Sequence, residues 1–255
     1  LAAALFHTLI HALFKSLLFL SAGSVVYATH TKNIEEMGGL IKKMPYTAML
    51  FLIGAVSISA LPPFNGFVSE LMLFQAFFQL GSIPIPLLKG FLLLSLSLLA
   101  LTSALAAACF VKAFGTVFLA LPRSRESKHA VEVPKPMIFG PAILAFLCVI
   151  LGMFSYQIFR FIGRNMGFSI VLPNLLGITI VVALIAVAAT FIVNISSEKR
   201  KRVSETWGCG IYSQNSKMEY TASGFSEPIV TIFAPIYRTK KLNRQEYFDS
   251  SSAVF

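Results

Sequence analysis

The stretch from residue 46 to residue 80 is almost continuously apolar, and one motif inside it, ALPPFNGF (60–67), limits what it can become. Thirty-five helical residues would run about 50 Å, against a bilayer core of about 30 Å. Pro62 and Pro63 remove two backbone donors, and Gly66 frees the chain. A discontinuous helix is expected, with halves near 46–61 and 66–80. Broken backbone at membrane depth survives only where protein or a wet cavity satisfies its polar groups.

Four further runs, roughly 4–28, 89–120, 137–158 and 175–195, are long and apolar enough to be helices that cross a bilayer. With the broken one they predict an all-α membrane protein of about five transmembrane helices. The hydrophobic fraction of 56% and mean hydropathy of +0.76 exceed what a soluble core needs. The expected division is a transmembrane region over 1–195 and a basic tail over 196–255, partly irregular and poorly packed. The first residue is Leu1 and the sequence is apolar at once, so a fragment lacking its N-terminal part is expected.

Charge sets the orientation. Segments 29–45, 121–136 and 196–255 hold three, four and nine Lys or Arg, whereas 81–88 holds none and 159–174 two. The positive-inside rule places the first three in the cytoplasm, including the tail of a multi-pass protein of the cell membrane. The net charge of +10 is concentrated in clusters such as Lys199, Arg200, Lys201 and Arg202. Such clusters suit anionic lipid beside a bilayer, and no aromatic-interleaved platform points to nucleic acid. Cys109, Cys148 and Cys209 form no CxxC pair and suggest neither a disulfide frame nor a metal knuckle.

Within the spans, the ionisable residues to be weighed are Glu70, His7, His11, Lys15 and Lys112. Each costs about 2.5–3.5 kcal/mol at the bilayer centre and needs a reason. Lys15 lies roughly 16 Å into its span, beyond the reach of snorkelling. His7 and His11 precede it at four-residue steps, which return to one helix face. Imidazole accepts a proton at one nitrogen and releases it at the other, so His7, His11 and Lys15 form a proton ladder in outline. Interhelical hydrogen bonding is the bland alternative, and zinc held by the His-x3-His pair is a third. Glu70, one turn past Gly66, reads either as a carboxylate capping the freed amides of the second half-helix or as a proton station. Lys112 suits snorkelling or a structural ion pair. Ser57, Ser59, Ser69, Gln75 and Gln79 suit water binding or interhelical contact.

The segments HTLIHALFKSLLFLSAGSV and MGGLIKKMPYTAMLFLIGAVSISALPPFNGFVSELMLFQAF resemble the second half of the antiporter-like, proton-translocating subunits. That family is shared by respiratory complex I, Mrp cation/proton antiporters and membrane-bound hydrogenases. The tail ETWGCGIYSQNSKMEYTASGFSEPI, with LPPFNGFVSE, is most similar to the branch of hydrogenase-4 component B and formate hydrogenlyase subunit 3. The resemblance implies two inverted five-helix repeats, each with a half-channel, and this chain begins within the second. It assigns Lys15 to the family's lysine before the broken helix and His7 and His11 to the preceding histidines. Glu70 takes the ionisable position of the broken helix, which is lysine in one complex I branch.

The resulting expectation is a subunit that moves protons, or exchanges them for Na⁺, beside membrane partners of a hydrogenase or complex I-like assembly. It carries no cofactor: no haem-ligand pair, iron–sulfur cysteine set or dinucleotide loop is present. Redox chemistry would belong to partner subunits. Two rivals remain, an Mrp-type Na⁺/H⁺ antiporter subunit and a structural membrane anchor with inert charges.

Overall fold

In a bilayer every backbone N–H and C=O must find its partner within the protein, so an apolar chain of this composition resolves into helices. The computed structural model describes residues 2–81, 85–119, 121–166, 174–196 and 218–237, and all regular elements among them are helical. Helix α1 is Ala2–Thr29. The discontinuous pair is α2 (Pro45–Ile58) and α3 (Asn65–Leu80). Helix α4 (Pro86–Phe114) continues into a π-helical turn, Gly115–Leu119. After the short α5 (Arg125–His129) come α6 (Lys135–Met153), α7 (Ser155–Met166), α8 (Leu175–Ser196) and α9 (Ala222–Tyr237).

Helix α1, the α4 segment, α6 and α8 are each long and apolar enough to cross a membrane. The 14 residues of α2 reach only about 21 Å, so α2 needs α3 to complete a crossing. One expectation is corrected. The fourth span ends at Met153 rather than near residue 158, because Phe154 (φ −96°, ψ 12°) leaves the helix before α7 begins. Within the tail, expected to be partly irregular, residues 222–237 form α9 despite Pro228 and Pro235 inside it. The basic cluster 199–202 and Cys209 lie outside the described residues.

Helix α1 is central and packs on α2, α3 and α6. Its buried residues Ile10, Phe14, Leu17, Ser21 and Ser24 recur at alternating steps of four and three, which keep one stripe against its neighbours. Phe14 and Leu17 meet Ala145 and Cys148 of α6, and Leu18 and Val25 meet Ala48, Phe51 and Phe118. Lipid tails are as apolar as these side chains, so close packing, not water exclusion, holds this core.

Polar contacts fix the ends. Glu132, before α6, accepts hydrogen bonds from the Tyr46 amide (2.9 Å), the Thr47 amide (3.3 Å) and the Thr47 hydroxyl (2.6 Å). A distant carboxylate thus supplies the N-cap that Met44 cannot, beside Pro45, which is suited to a first turn. Helix α9 is held similarly, its Ser223 amide donating to Glu35 at 2.6 Å. The Arg123 guanidinium joins three segments by donating to the carbonyls of Met37, Thr116 and Tyr220.

Candidate functional site

The ALPPFNGF motif lies between the two half-helices, as expected, but the reason for its glycine differs. The left-handed backbone falls on Ala60 (φ 51°), not on Gly66. Gly66 is required for space: a Cβ there would stand 1.7 Å from the Ser57 carbonyl oxygen. Gly152 of α6 closes the other side, where a Cβ would stand 2.2 Å from the Pro63 carbonyl oxygen. Three backbones therefore converge at the break, and neighbouring protein surrounds it.

Glu70 is half-buried on α3, and it does not cap that helix. Its carboxylate accepts a 2.6 Å hydrogen bond from the Ser103 hydroxyl of α4. Ser103 is equally placed to donate to the Leu99 carbonyl, at 3.0 Å. The pair opens on a cavity of about 390 Å³ whose wall includes Ser59, Phe67, Phe74 and Ala107. No sequence signal marked Ser103, which is one of several hydroxyls on an otherwise apolar helix.

His7 reaches the same half-helix. Its Nδ1 lies 3.0 Å from the hydroxyl of Ser69, the neighbour of Glu70. The Ser69 hydroxyl is equally placed to donate to the Gly66 carbonyl, at 3.0 Å: when it does, the imidazole donates from Nδ1, and when it turns to His7, Nδ1 accepts. The His7 and His11 rings are 6.1 Å apart, and His11 packs edge-on against Phe14 at 5.3 Å. The upper ladder is therefore compact.

Lys15 follows His11 at the next four-residue step of α1. It is exposed and lines a cavity of about 240 Å³ with Leu18, Phe19, Ala22, Phe51, Ile58 and Phe110. That cavity and the one at Glu70 follow the same seam. Helix α4 contributes Phe110 to one and Ala107 to the other, and the end of α2 contributes Ile58 and Ser59. Lys112 instead lines a cavity of about 520 Å³ at the foot of α4, with Thr116, Glu219 and Phe225. Among the described residues no three His, Cys, Asp or Glu side chains gather as a metal site would need.

A further polar group was not foreseen. Asn65 and Ser57 are fully buried at the break, facing the buried Cys148 thiol of α6. The sequence offers Ser57 for water binding or interhelical contact and Cys148 only as a cysteine without a CxxC partner, and it does not single out Asn65.

The first 97 residues match the family model described as the NADH:quinone oxidoreductase/Mrp antiporter transmembrane region. Hydrogenase-4 component B of Escherichia coli is 33% identical, over 94% of this chain and 39% of that protein. Formate hydrogenlyase subunit 3 of the same organism is 34% identical, over 94% of this chain and 41% of that protein. The chain thus spans about two-fifths of the length of these relatives. Among solved structures, the archaeal membrane-bound sulfane sulfur reductase, a respiratory membrane complex, superposes with a TM-score of 0.69 at 24% identity. That match covers 99% of this chain and 42% of its counterpart and shows the shared fold.

Proposed function

The chain belongs to the antiporter-like family of membrane subunits, and from that premise we propose that it carries protons through the bilayer for a redox-driven complex of the membrane-bound hydrogenase type. One observation carries the reading: Ser103 can satisfy Glu70 in either protonation state. When Glu70 is ionised, the Ser103 hydroxyl donates to it across 2.6 Å. When Glu70 is protonated, the acid donates to Ser103 Oγ, and the hydroxyl turns to the Leu99 carbonyl 3.0 Å away. A carboxylate kept only for structure needs one such state, whereas a proton station needs both.

Lys15, His11 and His7 supply the other stations. His7 couples the ladder to α3 through Ser69, and Lys15 opens on the seam that also holds the Glu70 cavity. A conformational or electrostatic change in a neighbouring membrane subunit would alter the proton affinities of Lys15 and Glu70 in turn, with water joining the stations. Redox chemistry would reside in partner subunits, and the 196–255 tail would lie in the cytoplasm beside anionic lipid. The family model also names Mrp antiporters, which keeps Na⁺/H⁺ exchange as the second reading.

The test replaces Lys15 by Met and Glu70 by Gln in the full-length protein within its complex, in sealed vesicles. Protons moved per substrate turned over should fall at least about tenfold in each variant. Unchanged coupling in both would leave a structural anchor. Coupling that depends on Na⁺ gradients alone would favour the antiporter reading.

A further inference from the structure

The Ser57, Asn65 and Cys148 group lies on the opposite side of α3 from the Ser103 contact. Both side-chain atoms of Asn65 and the hydroxyl of Ser57 are buried without a hydrogen-bond partner. Each residue has no measurable exposure, and Cys148 has none either. Such orphaned groups are costly in a low-dielectric interior, and three of them on adjoining residues call for a shared partner. The Cys148 thiol faces Asn65 and Ser57, but sulfur is a weak donor and acceptor.

The chemistry of the orphans selects the partner. The Asn65 Nδ2 group is a donor, Oδ1 an acceptor, and the Ser57 hydroxyl is both. A cation would satisfy the oxygens and be repelled by the amide hydrogens, whereas water can accept from Nδ2 and donate to Oδ1 or Oγ. Backbone confines the place: α3 presses on the Ser57 carbonyl at Gly66, and α6 presses on Pro63 and Asn65 at Gly152. Asn65 and Ser69 stand one turn apart on the same face of α3, both fully buried, and Ser69 already contacts His7.

We propose that Asn65, Ser57 and Cys148 enclose a bound water that, through Ser69, gives His7 a second hydrogen-bonded route into the helix break, separate from Glu70 and Ser103. Its part in transport rests on the proton-carrying reading above. In each transfer His7, first charged by a proton taken up at Nε2, gives its Nδ1 proton to Ser69 Oγ while Ser69 passes its own hydroxyl proton to the water. The imidazole is left neutral, the serine unchanged, and the water holds the proton as hydronium.

Difference infrared spectroscopy of the full-length complex in H₂¹⁶O and H₂¹⁸O reads the water directly. The wild type should show an ¹⁸O-sensitive O–H band, and the Cys148 S–H stretch should shift when Asn65→Leu removes that band. Ser57→Ala, a gentler change, should shift the same stretch and keep assembly intact if Asn65→Leu does not assemble. Protons moved per turnover should fall by about tenfold in either variant, the rate effect of one lost hydrogen bond in a barrier. An S–H stretch untouched by both substitutions overturns the water site. If both variants pump like wild type while Glu70→Gln does not, the second route falls and the main reading stands. If Glu70→Gln also pumps normally, the main reading falls with it.

Discussion

Gly66→Ala is the sharpest perturbation that the break offers. The added Cβ would stand 1.7 Å from the Ser57 carbonyl oxygen and 2.8 Å from its carbon, both backbone atoms that no rotamer change can move. Carbon and carbonyl oxygen rest no nearer than about 3.3 Å, so α3 must retreat by about 1.6 Å. Carried to Ser69, that retreat lengthens the 3.0 Å contact with His7 by up to about 1.6 Å, enough to break the hydrogen bond. Overpacking costs about 1–3 kcal/mol and the broken hydrogen bond about 1 kcal/mol more, giving a loss of about 2–4 kcal/mol. Equilibrium unfolding of the full-length protein in mixed micelles measures it. Gly23→Ala is the control, because nothing lies within 4 Å of a Cβ there. It should stabilise α1 by about 0.5–1 kcal/mol, the opposite sign. Proton transport by Gly66→Ala should fall by about a hundredfold, as misplacements of about 1 Å at reacting groups do. Wild-type stability together with wild-type transport would refute the claim that α3 crosses α2 at this carbonyl.

Two other contacts give separate outcomes. Glu132→Ala removes the carboxylate that accepts from Tyr46 and Thr47 and should lower stability by about 1–2 kcal/mol in the same unfolding assay, with Glu132→Gln retaining part of it. Burial pushes the Glu35 carboxyl up, but hydrogen bonds from Ser223 and Ala222 and the nearby Arg123 outweigh it and hold the group below its usual 4.5. Its contribution is therefore complete above pH 4.5 and is lost as pH falls through the depressed native value. Hydrogen exchange along α9 should accelerate below that point in the wild type and show no such step in Glu35→Gln.

The elements were legible in sequence because a bilayer leaves the chain few choices. Apolar length fixed α1, α4 and α8 to within a few residues, and Pro62 and Pro63 placed the break between α2 and α3. Which ionisable residues to weigh was equally plain, since Glu70, His7, His11 and Lys15 stand out against an apolar background. Their partners were not, because periodicity assigns a face to a residue but not the helix it meets. Ser103 binds Glu70 across 33 positions, Ser69 binds His7 across 62, and Glu132 caps α2 across about 85. The lysine illustrates the limit most directly. Four-residue steps put Lys15 beneath His11, yet the cross-helix contact from this ladder to α3 is made at His7, whose Nδ1 reaches Ser69 beside Glu70. Lys15 faces an apolar cavity between α1, α2 and α4. If charge moves between lysine and glutamate, it must follow the seam along α4, past Phe110 and Ala107, or pass back through the histidines to Ser69. Blocking each route separately, with Ala107→Leu for the seam and Ser69→Ala for the histidines, decides which one carries it. Loss of transport in only one variant assigns the path, and normal transport in both would exclude any exchange of protons between Lys15 and Glu70 along these helices.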